Sequence, residues 1–373
     1  MIFLDSAATT LQKPPGVGQA MLMAARNAAS PGRGSYQAAH RAAEISYRCR
    51  ELAGQLFGVS NPERVVLTSS ATHGLNLAIR TLVKPGSVVV LSGYEHNAVT
   101  RTLHSIDHVT LRVAEGRLFA GEELVEAYRR LLPGADVAIC CHVSNVFGNI
   151  LPLEEVARLC RSCGVPLIVD AAQSAGTLPI DFDGLGAAYL AMPGHKGLYG
   201  PQGTGLLLCG EGTQPEPLLF GGTGSNSLEQ QMPDFLPDRL EAGTHNIPGC
   251  AGLCEGLRFV QRQTPERILK HEQTLRRQAA QLLGDLPGVE LFEAEEPTAQ
   301  AGVLSFRLAG HSTEEVGEYL AQKGIAVRAG YHCAPLAHRS AGTLETGTIR
   351  ASFSAFNQPW EVQKLAQTLR RMV

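Results

Sequence analysis

Between residues 64 and 173, short β-branched apolar runs alternate with amphipathic stretches. "RVVLTS" precedes "ATHGLNLAIRTLV", "SVVVLSG" precedes "EHNAVTRTLH", and "DVAICCHVS" precedes "LEEVARLCRSCG", after which comes "PLIVDAAQ". Runs apolar at successive positions suit strands buried on both faces, so the pattern predicts an α/β fold with a largely parallel sheet covered by helices. In such sheets ligands collect beyond the carboxyl ends of the strands. Ser69 to Thr72, Glu95, His96, Ser144, Asn145 and Asp170 to Gln173 all follow strand-like runs and are predicted to converge on one crevice.

After about residue 250 the pattern changes. A long helical stretch, "TPERILKHEQTLRRQAAQLLGDL", precedes the shorter strands "GVLSFRL", "IAVRAG" and "TIRASFS" and a closing helix from Gln358 onward, which predicts a smaller α+β domain. The segment "QPEPLLFGGTGSNSLEQQMPDFLPDRLEAGTHN" is too long for a simple connector, and loops of that length tend to be functional.

Composition narrows the function classes. With 373 residues, 44% hydrophobic and 18% charged, the chain can bury a large core, in keeping with two domains. The net charge of -3, with basic residues scattered singly or in pairs, gives no footprint for nucleic acid or anionic lipid. No apolar run approaches the roughly 18 residues of a membrane-spanning helix, and "MIFLDSAATT" lacks a basic leader, so a cytoplasmic location is expected. Nine cysteines, an odd number without a secreted framework, read as reduced thiols. The pairs Cys160 with Cys163 and Cys250 with Cys254 fall in helical segments and are expected to be small buried hydrophobes; no metal site is expected.

Three segments carry the chemistry together. "GHKGLYGPQGTG" sets Lys196 between glycine and histidine; alone, that lysine reads as a solvated surface residue. "VDAAQ" places Asp170 at the end of a buried strand, where an ionised carboxylate needs a cation beside it. "SSATHG" offers hydroxyls and backbone N–H groups at a helix start, suited to a phosphate. An acid, a phosphate cradle and a lysine are the parts of a pyridoxal 5'-phosphate (PLP) site, with Asp170 on the pyridine nitrogen and Lys196 on the aldehyde.

These motifs, with "FLDSAATT", "SPGRG", "HVSNVFGNILPLEEV", "RLEAGTHN", "RAGYHCAPLAH" and "IRASFSAFN", run nearly end to end in an order that resembles the cysteine desulfurases of the aminotransferase class V superfamily, of the group that includes the Suf-system enzyme. The resemblance implies a fold-type I PLP enzyme. It divides the chain into an N-terminal segment, 1–14, packing with the small domain, a large PLP-binding domain, 15–250, and a small domain, 251–373, carrying the Cys333 loop. By the same resemblance Lys196 is the Schiff-base lysine, Asp170 pairs with the ring nitrogen, His96 stacks on the ring, and Asn145 and Gln173 lie near its phenolic oxygen. Ala71, Thr72 and His195 fall at the phosphate, and Thr244 reaches the phosphate of the partner subunit in a homodimer. Arg350 takes the substrate carboxylate through its planar fork. Arg328 and Ala8 are further substrate contacts.

Two departures from the family pattern bear on cofactor affinity. Pro193 stands where a Ser or Thr hydroxyl usually meets the phosphate, and Ala71 replaces a threonine.

The resemblance makes Cys333 the nucleophile that takes sulfur from L-cysteine as a persulfide, leaving L-alanine, with His332 and Arg328 expected to raise its thiolate fraction. A sulfur-acceptor protein or small thiol is the implied partner. A selenocysteine lyase acting on L-selenocysteine, and other lyases or aminotransferases of the superfamily, share the scaffold; those without sulfur transfer have no use for a thiol at this loop. A non-catalytic sulfur-relay or scaffold protein on the same fold would have no need of Lys196, Asp170, His96 and Arg350.

Overall fold

Seven strands form the central sheet of the computed structural model, in the order Val65–Thr68, Gly205–Cys209, Tyr189–Pro193, Leu167–Asp170, Val137–Cys141, Val88–Ser92, Thr110–Ala114. The structure describes residues 1–31 and 34–373; Gly32 and Arg33 of the "SPGRG" motif lie outside the described residues. Every pairing is parallel except those of Gly205–Cys209, which runs antiparallel to both neighbours. That exception has a local cause. No crossover helix separates Tyr189–Pro193 from Gly205–Cys209, so the chain turns back after a short connection, and this connection carries His195 and Lys196.

The apolar runs divide between the two faces of the sheet by simple alternation. Val90, Ala138, Cys140, Val169 and Leu206 enter one core, while Val89, Leu91, Ile139, Ile168 and Leu207 enter the other. Helices on both sides complete the burial, as the pattern predicted. Thr110–Ala114 escapes the pattern because it is an edge strand whose residues are mostly half-buried.

The C-terminal part builds an antiparallel sheet in the order Arg328–Gly330, Thr348–Ser352, Val303–Leu308, Val289–Phe292, backed by the helices Pro265–Gly284 and Pro359–Leu369. "IAVRAG", expected as one strand, is two: Ile325–Ala326 pairs with the N-terminal strand Ile2–Phe3, and Arg328–Gly330 pairs with Thr348–Ser352. The segment passes between two sheets and breaks at the crossing. Ile2 and Leu4 are buried with Leu275, Phe306, Ile325 and Leu365, so the first residues of the chain pack in the core of its last hundred or so. The long segment 214–246 holds a single 3-10 turn, Asp238–Leu240.

Candidate active site

The carboxyl ends of the parallel strands present a cleft of about 570 Å³. Ala71, Thr72, His96, Asn145, Asp170, Gln173, His195 and Lys196 line it, together with Ser70, Tyr94 and Pro193. Of the residues predicted to converge there, Ser144 turns instead into its own loop, where its hydroxyl accepts from the backbone N–H groups of Val146 and Phe147. Ser69 lies exposed beside His73.

One wall is the start of the helix Ala71–Leu82. Ser70 caps it by accepting from His73 N–H at 3.1 Å, which leaves the N–H groups of Ala71 and Thr72 without intrahelical partners. Gly205 makes this wall possible. A Cβ there would sit 2.7 Å from the Ser70 carbonyl carbon, so only glycine lets the neighbouring strand approach the turn.

His96 caps the next helix, Asn97–His104. Its Nδ1 accepts from Ala98 N–H at 3.0 Å, which requires a lone pair on Nδ1 and puts the ring proton on Nε2. Burial, reinforced by the charges of Lys196, Arg328, Arg101 and Arg350, lowers its pKa to about 4, so the ring is neutral at physiological pH.

Asp170 ends its strand with a buried carboxyl whose Oδ1 accepts from Ala172 N–H at 2.9 Å. Burial raises its pKa, opposed by that hydrogen bond and by the Lys196 charge. Burial also pushes Lys196 down to about 8, with Asp170 pulling the other way and Arg350 adding to the fall. Gln173 Nε2 donates to the Ala7 carbonyl at 2.9 Å, and His195 Nδ1 meets the Thr9 hydroxyl at 3.0 Å, so the N-terminal segment closes one side.

The remaining predicted residues lie outside the cleft lining. Arg350 is buried; it donates to Asp5 Oδ1 at 2.7 Å and to the Asn145 carbonyl at 2.8 Å. Arg328 lies opposite it on the neighbouring edge strand. Ala8 donates its backbone N–H to the Asp5 carbonyl, beside the Ala7 that Gln173 holds. Thr244 lines a separate surface cleft with Tyr47, Arg50, Gly222 and His245. Within one chain it is not brought to Lys196.

Cys333 is exposed, on a loop tied to the cleft from two directions: Asn97 N–H donates to the Cys333 carbonyl at 2.8 Å, and Asn145 Nδ2 donates to the His332 carbonyl at 2.7 Å. His332 and Cys333 both hold positive φ, 50° and 58°, a conformation costing a non-glycine residue about 1 kcal/mol that these two bonds help maintain. His332 does not give the help expected of it. Its ring is buried with Nε2 against Thr348, and burial pushes its pKa to about 2, so it stays neutral and adds no positive charge beside the thiol.

Sequence reading gave Asp5, Thr9 and Tyr94 no role. "FLDSAATT" was visible as a motif, but an aspartate directly after three apolar residues carries no sign of an arginine 345 positions away.

The donor set fits PLP: free N–H groups at a helix start for a phosphate, a buried carboxyl for a pyridine nitrogen, a neutral imidazole, and a lysine whose burial favours its free amine. Comparison with known proteins points the same way. A probable cysteine desulfurase of Mycolicibacterium paratuberculosis is 33% identical over 383 residues, covering 100% of this chain and 55% of that protein. Another, of Methanothermobacter thermautotrophicus, is 31% identical, covering 99% of this chain and 94% of the other. The chain thus spans little more than half of the first relative. The apo structure of the cysteine desulfurase from Thermococcus onnurineus superposes with a TM-score of 0.91 at 30% identity, covering 100% of this chain and 94% of that one. The aminotransferase class-V family profile matches residues 2–365, and the chain belongs to that family.

Proposed function

We propose that the protein is a PLP-dependent cysteine desulfurase that converts L-cysteine to L-alanine and leaves the sulfur on Cys333 as a persulfide. The observation that carries this reading is the placement of an exposed thiol on a loop whose backbone is hydrogen-bonded to Asn97, next to His96, and to Asn145 of the cleft. A transaminase or a lyase that expels its leaving group directly has no step for that thiol.

The cofactor, when bound, supplies an electron sink for charge developing at the substrate Cα. Asp170 would hold the ring nitrogen, and Ala71 and Thr72 would offer N–H groups to the phosphate. Lys196, near half-deprotonated at pH 8, accepts the Cα proton and returns it. Neutral His96 would face the ring, its Nδ1 already held by Ala98 N–H and its proton on Nε2. Arg350 uses two of its five N–H donors on Asp5 and Asn145 and keeps others for the substrate carboxylate. The Cys333 thiolate attacks the substrate sulfur. As the S–S bond forms, the Cβ–S bond breaks, its electron pair stays on carbon, and Cβ takes a proton.

The protein acts as a homodimer with shared sites in this reading. Leu219, Phe220 and Leu228 are 60%, 77% and 95% exposed on the same long segment as Thr244, an apolar surface that a second copy would cover while bringing Thr244 to its phosphate. The sulfur passes on to an acceptor protein or small thiol able to reach Cys333. Among the described residues no helix is long and apolar enough to cross a membrane, and a cytoplasmic location accords with reduced thiols. The test is to incubate PLP-loaded protein with L-cysteine and a thiol reductant and to assay both products; alanine and sulfide in equal amounts support the reading, and pyruvate with ammonia refutes it.

A further inference from the structure

Glu95, immediately before His96, is fully buried. Its Oε1 accepts from the Ser92 hydroxyl at 2.6 Å and from Cys141 N–H at 2.7 Å, and its Oε2 has no partner among the described residues. Cys141, whose N–H Glu95 holds, is the register partner of Asp170, so the two carboxyls flank the end of the single strand Val137–Cys141, Asp170 from the adjacent strand and Glu95 from the turn after Val88–Ser92 on the other side. The other ionisable groups packed around Glu95 are the Cys140 and Cys141 thiols and the Tyr128 phenol, all kept neutral by burial; the charge that acts on it is that of Asp170.

Two carboxylates so placed cannot both ionise cheaply. Asp170 has the Lys196 charge to favour its ionised form, whereas burial and then the Asp170 charge lift Glu95 to about 7. We propose that Glu95 is a positioning acid acting through Asp170: it keeps a proton while Asp170 carries the negative charge, and releases that proton to solvent when a cationic ring nitrogen is placed against Asp170. The reciprocal follows from linkage. An ionised Glu95 raises the proton affinity of the ring nitrogen and so strengthens its pairing with Asp170. This inference rests on the PLP reading of the cleft.

The test is calorimetric titration of the apoprotein with PLP in buffers of different ionisation enthalpy, from pH 5 to 9, for wild type and Glu95→Gln. Glutamine keeps an oxygen for Ser92 and Cys141 but has no acid proton. Near pH 7 the wild type is expected to release a fraction of a proton more per site than the variant, with the two converging at pH 5 and pH 9; superimposed release curves would overturn the proposal. Should the variant fail to fold, infrared difference spectra of the wild type at pH 7 decide. Loss of a protonated-carboxyl stretch on loading supports the proposal, and its absence refutes it. If neither protein binds PLP, the cofactor reading itself fails; if both bind with equal proton release, only the role of Glu95 does.

Discussion

Arg350 donates to the Asp5 carboxylate at 2.7 Å, joining a strand near the end of the chain to its fifth residue across 345 positions. The guanidinium is 2% exposed and the carboxylate 19%. The same arginine also holds the Asn145 carbonyl, so one side chain ties the N-terminal segment, the small sheet and the cleft together.

Removing the carboxylate leaves a buried cation without its charge partner. Asp5→Ala is expected to destabilise the apoprotein by about 3 kcal/mol, read from the urea midpoint. It should also raise KM for L-cysteine more than it lowers kcat, since Arg350 loses its orientation. Unchanged stability and KM would show that Asn145 alone positions the arginine.

The lowered pKa of Lys196 sets a pH dependence for cofactor loading. Its free amine is the reactive form, and with the pKa down at about 8 the group is mostly protonated below that pH. The visible absorbance that grows on adding PLP should therefore appear about tenfold more slowly for each pH unit below 8 and at a constant rate above. Borohydride should fix the cofactor to Lys196. A rate independent of pH between 6 and 8 would contradict the burial argument.

Much of this site was legible in the chain. Lys196 and His96 follow buried apolar strands and Asp170 ends one, and period-2 alternation sorts the strand residues before them into two cores. The convergence of residues about 100 positions apart then follows from the parallel topology. What the chain concealed are long-range pairings: Asp5 with Arg350, and Ile2–Phe3 with Ile325–Ala326, where the N-terminal partner is too short to show a period. The role expected of His332 failed because adjacency in sequence does not set direction. At two successive positive φ angles the imidazole turns inward to Thr348 while the thiol remains exposed.

Pro193 lines the cleft and offers neither hydroxyl nor N–H to a phosphate. One added hydrogen bond to a charged group is worth about 1.5 to 3 kcal/mol, so Pro193→Ser should tighten PLP binding by about tenfold or more, measured by titrating the apoprotein. An unchanged affinity would mean that the helix start already saturates the phosphate.

Site sharing makes a prediction for mixed dimers. Lys196→Ala and Thr244→Ala subunits, each impaired alone, should recover activity when co-assembled, because one of the two sites regains both wild-type groups. Verified mixed dimers without recovery would place Thr244 outside the site.

The central claim is that Cys333 takes the sulfur, and Cys333→Ala measures it most directly. The variant keeps Lys196, Asp170, His96 and Arg350, so the spectral change of the loaded protein on adding L-cysteine should persist while alanine production falls by a hundredfold or more, on the order of the loss of a catalytic nucleophile. Alanine formed from L-cysteine by this variant at the wild-type rate would contradict the account.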